Sequence, residues 1–280
     1  MFRSSPQPDV PGPAAPVGIF DSGVGGLSVA RELRDLLPRE RLLYIADSKY
    51  VPYGNKPPEF IIDRSRCLGR HLLARGAKAL VIACNTATAA AAPALRAEWP
   101  QIPIIGMEPA VKPAVAASRR GVVGVLATVG TLQSARFAAL LDDFAKDVRV
   151  VVQSAPGLAE AVESGALSSP ETRQLVIRYV QPLLEAGVDA IVLGCTHYPF
   201  LKPLIAEIAG NGVTLIDTGA AVARQVQRRL AESQLLNTGE PAPGEVLEHF
   251  WTTGDVAAGQ RALTILWGAD AILRSDDELR

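Results

Sequence analysis

GAKALVIAC, at residues 76–84, returns as GVDAIVLGC at residues 187–195. Each copy holds a glycine of the kind that ends a helix, then a short apolar run, then a cysteine. A short apolar run behind such a glycine indicates a buried parallel strand. Because open α/β sheets bind ligands at the carboxyl ends of their strands, each cysteine is expected at a ligand-binding edge. The repetition predicts two similar domains, each offering one thiol to a shared cleft.

A second pair of segments supports the duplication. Val17–Ser22 is similar to Val123–Thr128, and both are strand-like and end in a hydroxyl residue. The offset between copies is 106 residues for this pair and 111 residues for the cysteines. Look-alike strands are common in α/β chains, but two pairs in the same order at nearly the same offset favour an internal repeat.

Strand-like and helix-like segments alternate along the chain. This alternation predicts an α/β fold with two pseudo-symmetric domains, each a parallel sheet flanked by helices, and an active site in the cleft between them. Strands are predicted near Val17–Phe20, Leu42–Ala46, Leu80–Ala83, Ile104–Gly106, Val122–Leu126, Val148–Gln153, Ile191–Gly194 and Thr214–Ile216. Helices are predicted at Leu27–Leu37, Glu59–Arg75, Thr131–Phe144, Pro170–Ala186, Leu201–Ala209 and Ala221–Glu232, with short elements at Leu247–Trp251 and Ala262–Leu266. Pro199 is expected in the first helical turn after Cys195, and Pro93 is expected to start a helix after Cys84 in the same way.

The domain boundary is predicted near Glu108-Pro109, and the chain is predicted to return near Asp217. On this interpretation the first domain holds residues 17–108 and 218–280, and the second holds residues 109–217. Residues 1–16 are rich in proline and are predicted to form a disordered tail. They contain no apolar core of a secretory signal.

Composition excludes several classes of function. The formal net charge of the 280 residues is −1 and no long basic run occurs, so nucleic-acid binding has little support. The apolar runs are far too short to cross a membrane. Three cysteines without a secretory signal predict free thiols in a cytoplasmic protein.

Four kinds of chemistry could use two thiols that face one cleft. A redox pair is one, although such pairs are usually close in sequence. A metal site from Cys84, Cys195 and His197 is a second, but a structural zinc site needs four ligands. A Cys–His nucleophile pair is a third, and it leaves the second cysteine without a role. The fourth is proton transfer on both faces of one carbon.

Inversion of a stereocentre by deprotonation needs a base on one face and an acid on the other. Two quasi-symmetric thiols supply this geometry, provided that one is a thiolate while the other is a thiol. An unperturbed cysteine has a pKa of about 8.5, and helix N-termini and nearby donors can lower it towards the working pH. Donors that hold the substrate carboxylate would stabilise the charge that develops.

The Gly-rich turn Asp21–Gly26 follows the first predicted strand. It is not a dinucleotide fingerprint, because Ser28 stands where the third spaced glycine belongs. Its backbone N–H groups and Ser22 suit a carboxylate. Asp21 either caps the turn or orients a substrate ammonium.

Short polar side chains also follow both cysteines. Asn85, Thr86 and Thr196 are hydrogen-bonding residues beside the thiols, and they serve equally well as helix caps. His197 could protonate or polarise a group near Cys195. The duplicated arrangement favours a site.

Several of these segments resemble the glutamate racemases of the aspartate/glutamate racemase family. The resemblance runs from about Val17 to Asp217. The matching segments are Gly18–Leu27, Ala46–Ser48, Val51–Gly54, Ala83–Ala87, Met107–Ala110, Gly130–Leu132 and Gly194–Leu201.

The resemblance implies a racemase without cofactor or metal that interconverts L- and D-glutamate and supplies D-glutamate for bacterial peptidoglycan. It implies that Cys84 takes the proton from the D-isomer and that Cys195 takes it from the L-isomer. The expected partners are the substrate glutamate and a second copy in a homodimer, with no nucleic acid and no membrane.

The resemblance also implies the substrate-binding and assisting residues. Asp21 and His197 match groups that assist the thiols, and Glu163 matches a further assisting carboxylate. The substrate-binding pairs are Asp21-Ser22, Tyr53-Gly54, Asn85-Thr86 and Thr196-His197. The chain departs from the family at Ala155-Pro156, where a Cys-Pro pair is frequent. An aspartate racemase of the same superfamily and a non-catalytic binding or inhibitor protein stay open as alternatives.

Overall fold

A computed structural model of the chain describes residues 11–276 and residue 279, and it contains two parallel sheets. The strands in chain order are β1 (Val17–Asp21), β2 (Leu42–Ala46), β3 (Ala79–Ile82), β4 (Ile104–Ile105), β5 (Val122–Ala127), β6 (Arg149–Ser154), β7 (Ala190–Leu193), β8 (Thr214–Ile216), β9 (Glu248–Thr252) and β10 (Leu273–Ser275). The helices are α1 (Leu27–Leu36), α2 (Pro58–Ala74), α3 (Asn85–Glu98), α4 (Val111–Ala117), α5 (Val129–Leu132), α6 (Ala135–Phe144), α7 (Leu158–Glu163), α8 (Pro170–Glu185), α9 (Lys202–Ala209), α10 (Gly219–Glu232) and α11 (Val256–Leu266). Short 3₁₀ helices lie at Tyr53–Asn55 and Tyr198–Leu201.

The two sheets repeat one topology. The first sheet has the order β10-β9-β2-β1-β3-β4, and the second has the order β6-β5-β7-β8. The strand that precedes each cysteine pairs with its neighbour in the same register in both sheets. Gly18 of β1 lies opposite Leu80 of β3, and Gly124 of β5 lies opposite Ile191 of β7. The α/β class with two parallel sheets is therefore confirmed. We call the six-stranded sheet with its helices the first domain, and the four-stranded sheet with its helices the second domain.

Equivalent glycines allow equivalent packing in the two domains. A Cβ atom on Gly18 or on Gly124 would lie 3.0–3.4 Å from three apolar side chains in its own domain. These side chains are Leu72, Ala77 and Leu80 in the first domain, and Leu183, Val188 and Ile191 in the second. Each side chain of the first trio lies 111 residues before its counterpart in the second, which is also the offset between the two cysteines. The duplication therefore extends to the core.

The glycines that open the two cysteine segments end helices, as predicted. Gly76 has φ 81° after α2, and Gly187 has φ 83° after α8. This left-handed conformation is readily available to glycine. Gly76 donates its N–H to the carbonyl of Leu73, and Gly187 donates to that of Leu184, both at 2.9 Å. Each strand that carries a thiol thus starts from the same turn.

Strands from both ends of the chain build the first sheet. β9 and β10 extend it beyond β2, while β5 to β8 form the second sheet from the middle of the chain. The strands divide on either side of the predicted boundaries near residues 108 and 217. The boundaries themselves stay a proposal. In the described residues, no helix combines the length and apolarity that a membrane span requires.

Two predicted helices differ from the structure. The predicted helix Thr131–Phe144 is two helices, because the Ser134 side chain accepts the N–H of Phe137 at 3.1 Å and starts a new one. Pro93 was expected to start a helix after Cys84, but α3 starts at Asn85 and holds Pro93 in its interior. A run of alanines favours the helix, and its buried apolar face offsets the cost of the proline.

The structure adds elements that the sequence pattern did not indicate. These are α4, α7, β10 and the first half of α11, which Asp255 caps by accepting the N–H of Ala258 at 2.7 Å. The short elements α4 and α7 carry too few periodic apolar residues for a helical pattern to stand out.

The predicted tail lies partly outside the described residues, which begin at residue 11. Residues 11–16 are described, and they form a turn in which Ala15 donates its N–H to the carbonyl of Gly12 at 3.0 Å. The buried ammonium of Lys78 donates to the carbonyl of Pro13. These six residues are therefore anchored to the first domain rather than disordered.

Candidate active site

Both predicted cysteines stand where a central strand of their sheet ends. Cys84 comes two residues after β3 and caps α3, because its Sγ accepts the N–H of Ala87 at 3.4 Å. Cys195 comes two residues after β7 and leads into the 3₁₀ helix Tyr198–Leu201, with Pro199 in its first turn as predicted. Both side chains are buried free thiols.

The two thiols line one cavity between the domains. Its free volume is about 10 Å³, about the space of one water molecule, so the two domains lie close together around it. The other lining residues are Ser22, Pro52, Tyr53, Gly54, Asn85, Thr86, Thr128, Thr131, Ala159, Gly194, Thr196 and His197. All predicted site residues except Asp21 and Glu163 are in this wall, and those two carboxylates lie behind it in contact with wall residues.

Asp21 connects the Gly-rich turn to the second domain. Its carboxylate accepts the backbone N–H groups of Ser22 and Gly26, both at 2.6 Å. It also accepts the hydroxyl of Thr196 at 3.1 Å. Asp21 therefore caps the turn and also contacts the loop that carries Cys195. Its role towards a substrate ammonium stays a prediction.

The first thiol, Cys84, is buried close to the carboxylate of Asp21. Cys84 Sγ lies 3.9 Å from Ser22 Oγ, and burial raises the pKa of the Cys84 thiol well above its ordinary value. The charge of Asp21 raises it further. Burial also raises the pKa of Asp21, while the nearby His197 opposes this. Cys84 is thus favoured as the protonated thiol.

The second thiol has a basic partner. Cys195 Sγ lies 3.5 Å from Nδ1 of His197, whose Nε2 lies 2.6 Å from Oε1 of Glu163. Burial alone would lower the pKa of His197, but the hydrogen bonds and charges of Cys195 and Glu163 outweigh it. The net effect raises the pKa of His197 well above 6.5. The imidazole is therefore favoured in its protonated form.

Glu163 holds this pair against the first domain. It ends α7, and besides His197 its carboxylate accepts the backbone N–H of Val24 at 2.6 Å and the hydroxyl of Ser48 at 3.2 Å. Glu163 is therefore at the site, as the resemblance implied. Val24 and Ser48 were not predicted as its partners.

The glycines of the turn after β1 allow the second domain to come close. A Cβ atom on Gly25 would lie 2.6 Å from Cε1 of His197, and one on Gly23 would lie 2.6 Å from Cδ of Glu163. Both separations are below any that real side chains tolerate. The turn is thus rich in glycine because it receives His197 and Glu163.

Three hydroxyl groups join the domains at the other side of the cavity. Thr86 Oγ1 lies 2.9 Å from that of Thr128 and 3.2 Å from that of Thr131. Thr128 and Thr131 were not predicted as site residues. A signal was present, because Thr128 ends the second copy of the strand segment as Ser22 ends the first.

Asn85 is the one wall residue whose side chain stays unsatisfied. It is buried, and neither its amide nitrogen nor its amide oxygen has a hydrogen-bond partner among the described residues. Buried polar groups are normally paired, so this amide is suited to a bound molecule. Within residues 11–276 and 279, His, Cys, Asp and Glu do not form a group of three or more arranged for a metal ion.

The departure at Ala155-Pro156 lies in the packed turn between β6 and α7. The carbonyl of Ala155 accepts the hydroxyl of Tyr198 at 3.2 Å, and that of Pro156 accepts the hydroxyl of Tyr179 at 2.9 Å. The turn contributes only its backbone carbonyls to these bonds, so an alanine at position 155 leaves the turn and the start of α7 supported.

The sequence matches the Asp/Glu/hydantoin racemase family over residues 27–226. It is 62% identical to a glutamate racemase of Ectopseudomonas mendocina over 257 residues, which cover 92% of this chain and 96% of that protein. The fold is similar to the glutamate racemase of Francisella tularensis in complex with D-glutamate, with a TM-score of 0.80, 28% identity and coverage of 95% and 98% of the two chains. It is also similar to the Escherichia coli glutamate racemase in complex with L-glutamate and an activator, with a TM-score of 0.81, 29% identity and coverage of 93% and 98%.

Proposed function

Because the chain belongs to the Asp/Glu/hydantoin racemase family and is a racemase of the glutamate racemase type, we propose that it interconverts L- and D-glutamate. Cys84 and Cys195 are its two acid–base groups in this proposal, and the reaction needs no cofactor. The observation that carries the proposal is that both thiols line one cavity, each beside a different ionisable partner.

In the direction from L- to D-glutamate, the thiolate of Cys195 takes the α-proton, so that the Cα–H bond breaks and an S–H bond forms. The electron pair passes into the α-carboxylate. The pair then returns to the α-carbon and forms a new Cα–H bond with the proton of the Cys84 thiol on the opposite face, while the S–H electrons stay on sulfur as a thiolate. The reverse direction uses the same steps with the two cysteines exchanged.

The surroundings of the thiols support this assignment of protons. The raised pKa of Cys84 favours the thiol that the direction from L- to D-glutamate requires. The raised pKa of His197 favours an imidazolium, whose positive charge lies 3.5 Å from the sulfur of Cys195. For the return direction, a substrate ammonium beside Asp21 and Cys84 would favour the Cys84 thiolate, since opposite charge stabilises the ionised form.

The remaining wall residues are suited to the substrate. We propose that Asp21 faces the ammonium group, and that hydroxyl and amide groups of the wall bind the two carboxylates. Donors of this kind stabilise the negative charge that builds on the α-carboxylate in the transition state. The donors are Ser22, the backbone N–H groups of the segment Tyr53-Gly54, Asn85, Thr86, Thr196 and His197. The phenol of Tyr53 is not among them, because it donates to Asp47.

The cellular role is part of the proposal. Glutamate racemisation would supply D-glutamate for peptidoglycan, which requires the protein in the cytoplasm. We further propose a homodimer and a domain division at residues 17–108 with 218–280, and 109–217. The two-domain cavity would open for substrate and close to exclude water.

The central experiment is racemisation in D2O with no cofactor added. Each enantiomer of glutamate should give the opposite enantiomer with deuterium at the α-carbon, because the donating thiol exchanges with solvent. Enzyme that incorporates no deuterium from either enantiomer would refute the proposal. Aspartate, assayed in parallel, distinguishes the related aspartate racemase activity.

Substitution of the cysteines tests the mechanism. Cys84→Ala and Cys195→Ala should each lower kcat in both directions by about 10³-fold or more, because each direction needs both groups. Cys67→Ala is the matched control, since Cys67 is half-buried on α2 and outside the cavity wall. A non-catalytic binding protein would retain glutamate binding in all three variants and show no turnover in the unmodified protein.

A further inference from the structure

Asp47 is a fully buried carboxylate that the mechanism does not use. It directly follows β2, and its backbone N–H donates to the carbonyl of Asp21 at 3.0 Å. Its position is therefore fixed to the strand that carries the Gly-rich turn. The residue is not part of the cavity wall.

The Asp47 carboxylate binds two side chains. Arg64 on α2 donates through Nε to Oδ2 at 3.0 Å and through Nη2 to Oδ1 at 2.6 Å. The phenol of Tyr53 donates to Oδ2 at 2.5 Å. A two-point guanidinium–carboxylate pair fixes orientation as well as distance. Buried ion pairs contribute little net stability, so this one is better explained by positioning.

Arg64 is itself held from two other sides. Its guanidinium lies over the ring of Tyr50 at 4.4 Å, and Nη2 also donates to the carbonyl of the buried Leu279 at 3.3 Å. These contacts leave the guanidinium little freedom. Arg64 therefore fixes the position of the Asp47 carboxylate relative to α2.

Tyr53 connects the pair to the cavity. Tyr53 and Gly54 are wall residues, and burial together with Asp47 raises the pKa of Tyr53, so the phenol stays a donor. Gly54 also meets the second domain. A Cβ atom on Gly54 would lie 2.7 Å from Cβ of Thr128, and one on Gly130 would lie 3.0 Å from the carbonyl of Gly54. A shift of this segment would change both the wall and the domain contact.

We propose that Asp47 and Arg64 form a positioning pair that holds Tyr53-Gly54 in the wall, so that glutamate meets a preset binding surface. The proposal rests on the function proposed above. The pair touches neither thiol, nor His197, nor Glu163. Its loss therefore weakens substrate binding in both directions and leaves proton transfer largely unchanged.

The test compares steady-state kinetics of Tyr53→Phe, Arg64→Lys and the double variant with both enantiomers. Tyr53→Phe keeps the ring and the ion pair and removes one hydrogen bond, so it is the variant most able to fold. Each single variant should raise KM about fivefold to tenfold, with kcat changed less than about twofold. Because both act through Asp47, the double variant should raise KM by much less than the product of the single effects.

Tyr179→Phe is the matched control, because its phenol donates to the carbonyl of Pro156 outside the cavity wall. It should leave KM unchanged, and thermal unfolding of all variants separates stability from binding. Variants with lowered Tm and unchanged KM, or KM effects that multiply in the double variant, would overturn the proposal. If the unmodified protein fails to racemise glutamate in the same assay, the proposed function fails instead.

Discussion

Glu163 accepts the backbone N–H of Val24 at 2.6 Å, and this bond joins the end of α7 in the second domain to the Gly-rich turn of the first. The same oxygen of Glu163 lies 2.6 Å from His197. His197 and Glu163 both belong to the second domain, so one carboxylate contacts the imidazole beside Cys195 and also joins the two domains.

The first prediction concerns the glycine that faces His197. Gly25→Ala should lower kcat/KM about 100-fold in both directions, because the new methyl group overlaps the imidazole ring and keeps the domains from closing. Steady-state racemisation with both enantiomers measures the effect.

The control for this variant is Gly212→Ala, since a Cβ atom there meets nothing within 4 Å. It should leave kcat/KM unchanged. Equal activity of the two variants would show that the close approach of His197 is not required. The ratio of kcat/KM in the two directions must stay at unity in every variant, because enantiomers have equal free energies.

The amino-acid pattern predicted strands β1 to β8, whereas β9 was expected only as a short element and β10 was not predicted. Apolar runs behind helix-ending glycines identified β3 and β7, and the repeat identified two domains with one thiol each. These features are local, since a buried parallel strand and its turn are written in consecutive residues. The helices with short or Ala-rich patterns, α3, α4 and α7, lacked such a local signature.

The contacts between the domains could not be predicted from the sequence. Nothing near Val24 or Ser48 in the chain indicates that Glu163 binds them. The hydroxyl group of Thr128 was visible as the counterpart of Ser22, but its bond to Thr86 depends on how the domains meet. Such contacts arise from tertiary packing between residues far apart in sequence.

The second prediction concerns pH. The pKa of His197 is raised in the folded protein, so the stabilisation of its protonated form is complete below about pH 6.5 and is lost as pH rises through the folded value. Glu163→Gln removes one of the negative charges that raise the pKa of His197. The free energy of unfolding should fall by about 2 kcal/mol near pH 6, and this loss should shrink as pH rises.

Urea unfolding between pH 6 and pH 10 measures this difference. Glu160→Gln is the control, because Glu160 is an exposed residue of the same helix. Its effect should be small at every pH. A loss in Glu163→Gln that is constant across the range, or that grows with pH, would contradict the assigned coupling between His197 and Glu163.

The third prediction concerns the unsatisfied amide of Asn85. A buried amide without a partner in the protein destabilises the fold, and it is retained when a ligand uses it. Asn85→Ala should therefore raise KM for both enantiomers about tenfold or more, while Tm stays constant or increases.

Asn237→Ala should behave in the opposite way. Its amide nitrogen donates to the carbonyl of Arg39 at 2.8 Å and its amide oxygen accepts the N–H of Gly239 at 3.0 Å, so its removal should lower Tm and leave KM unchanged. If Asn85→Ala lowers Tm as Asn237→Ala does and leaves KM unchanged, the Asn85 amide serves the fold and does not bind glutamate.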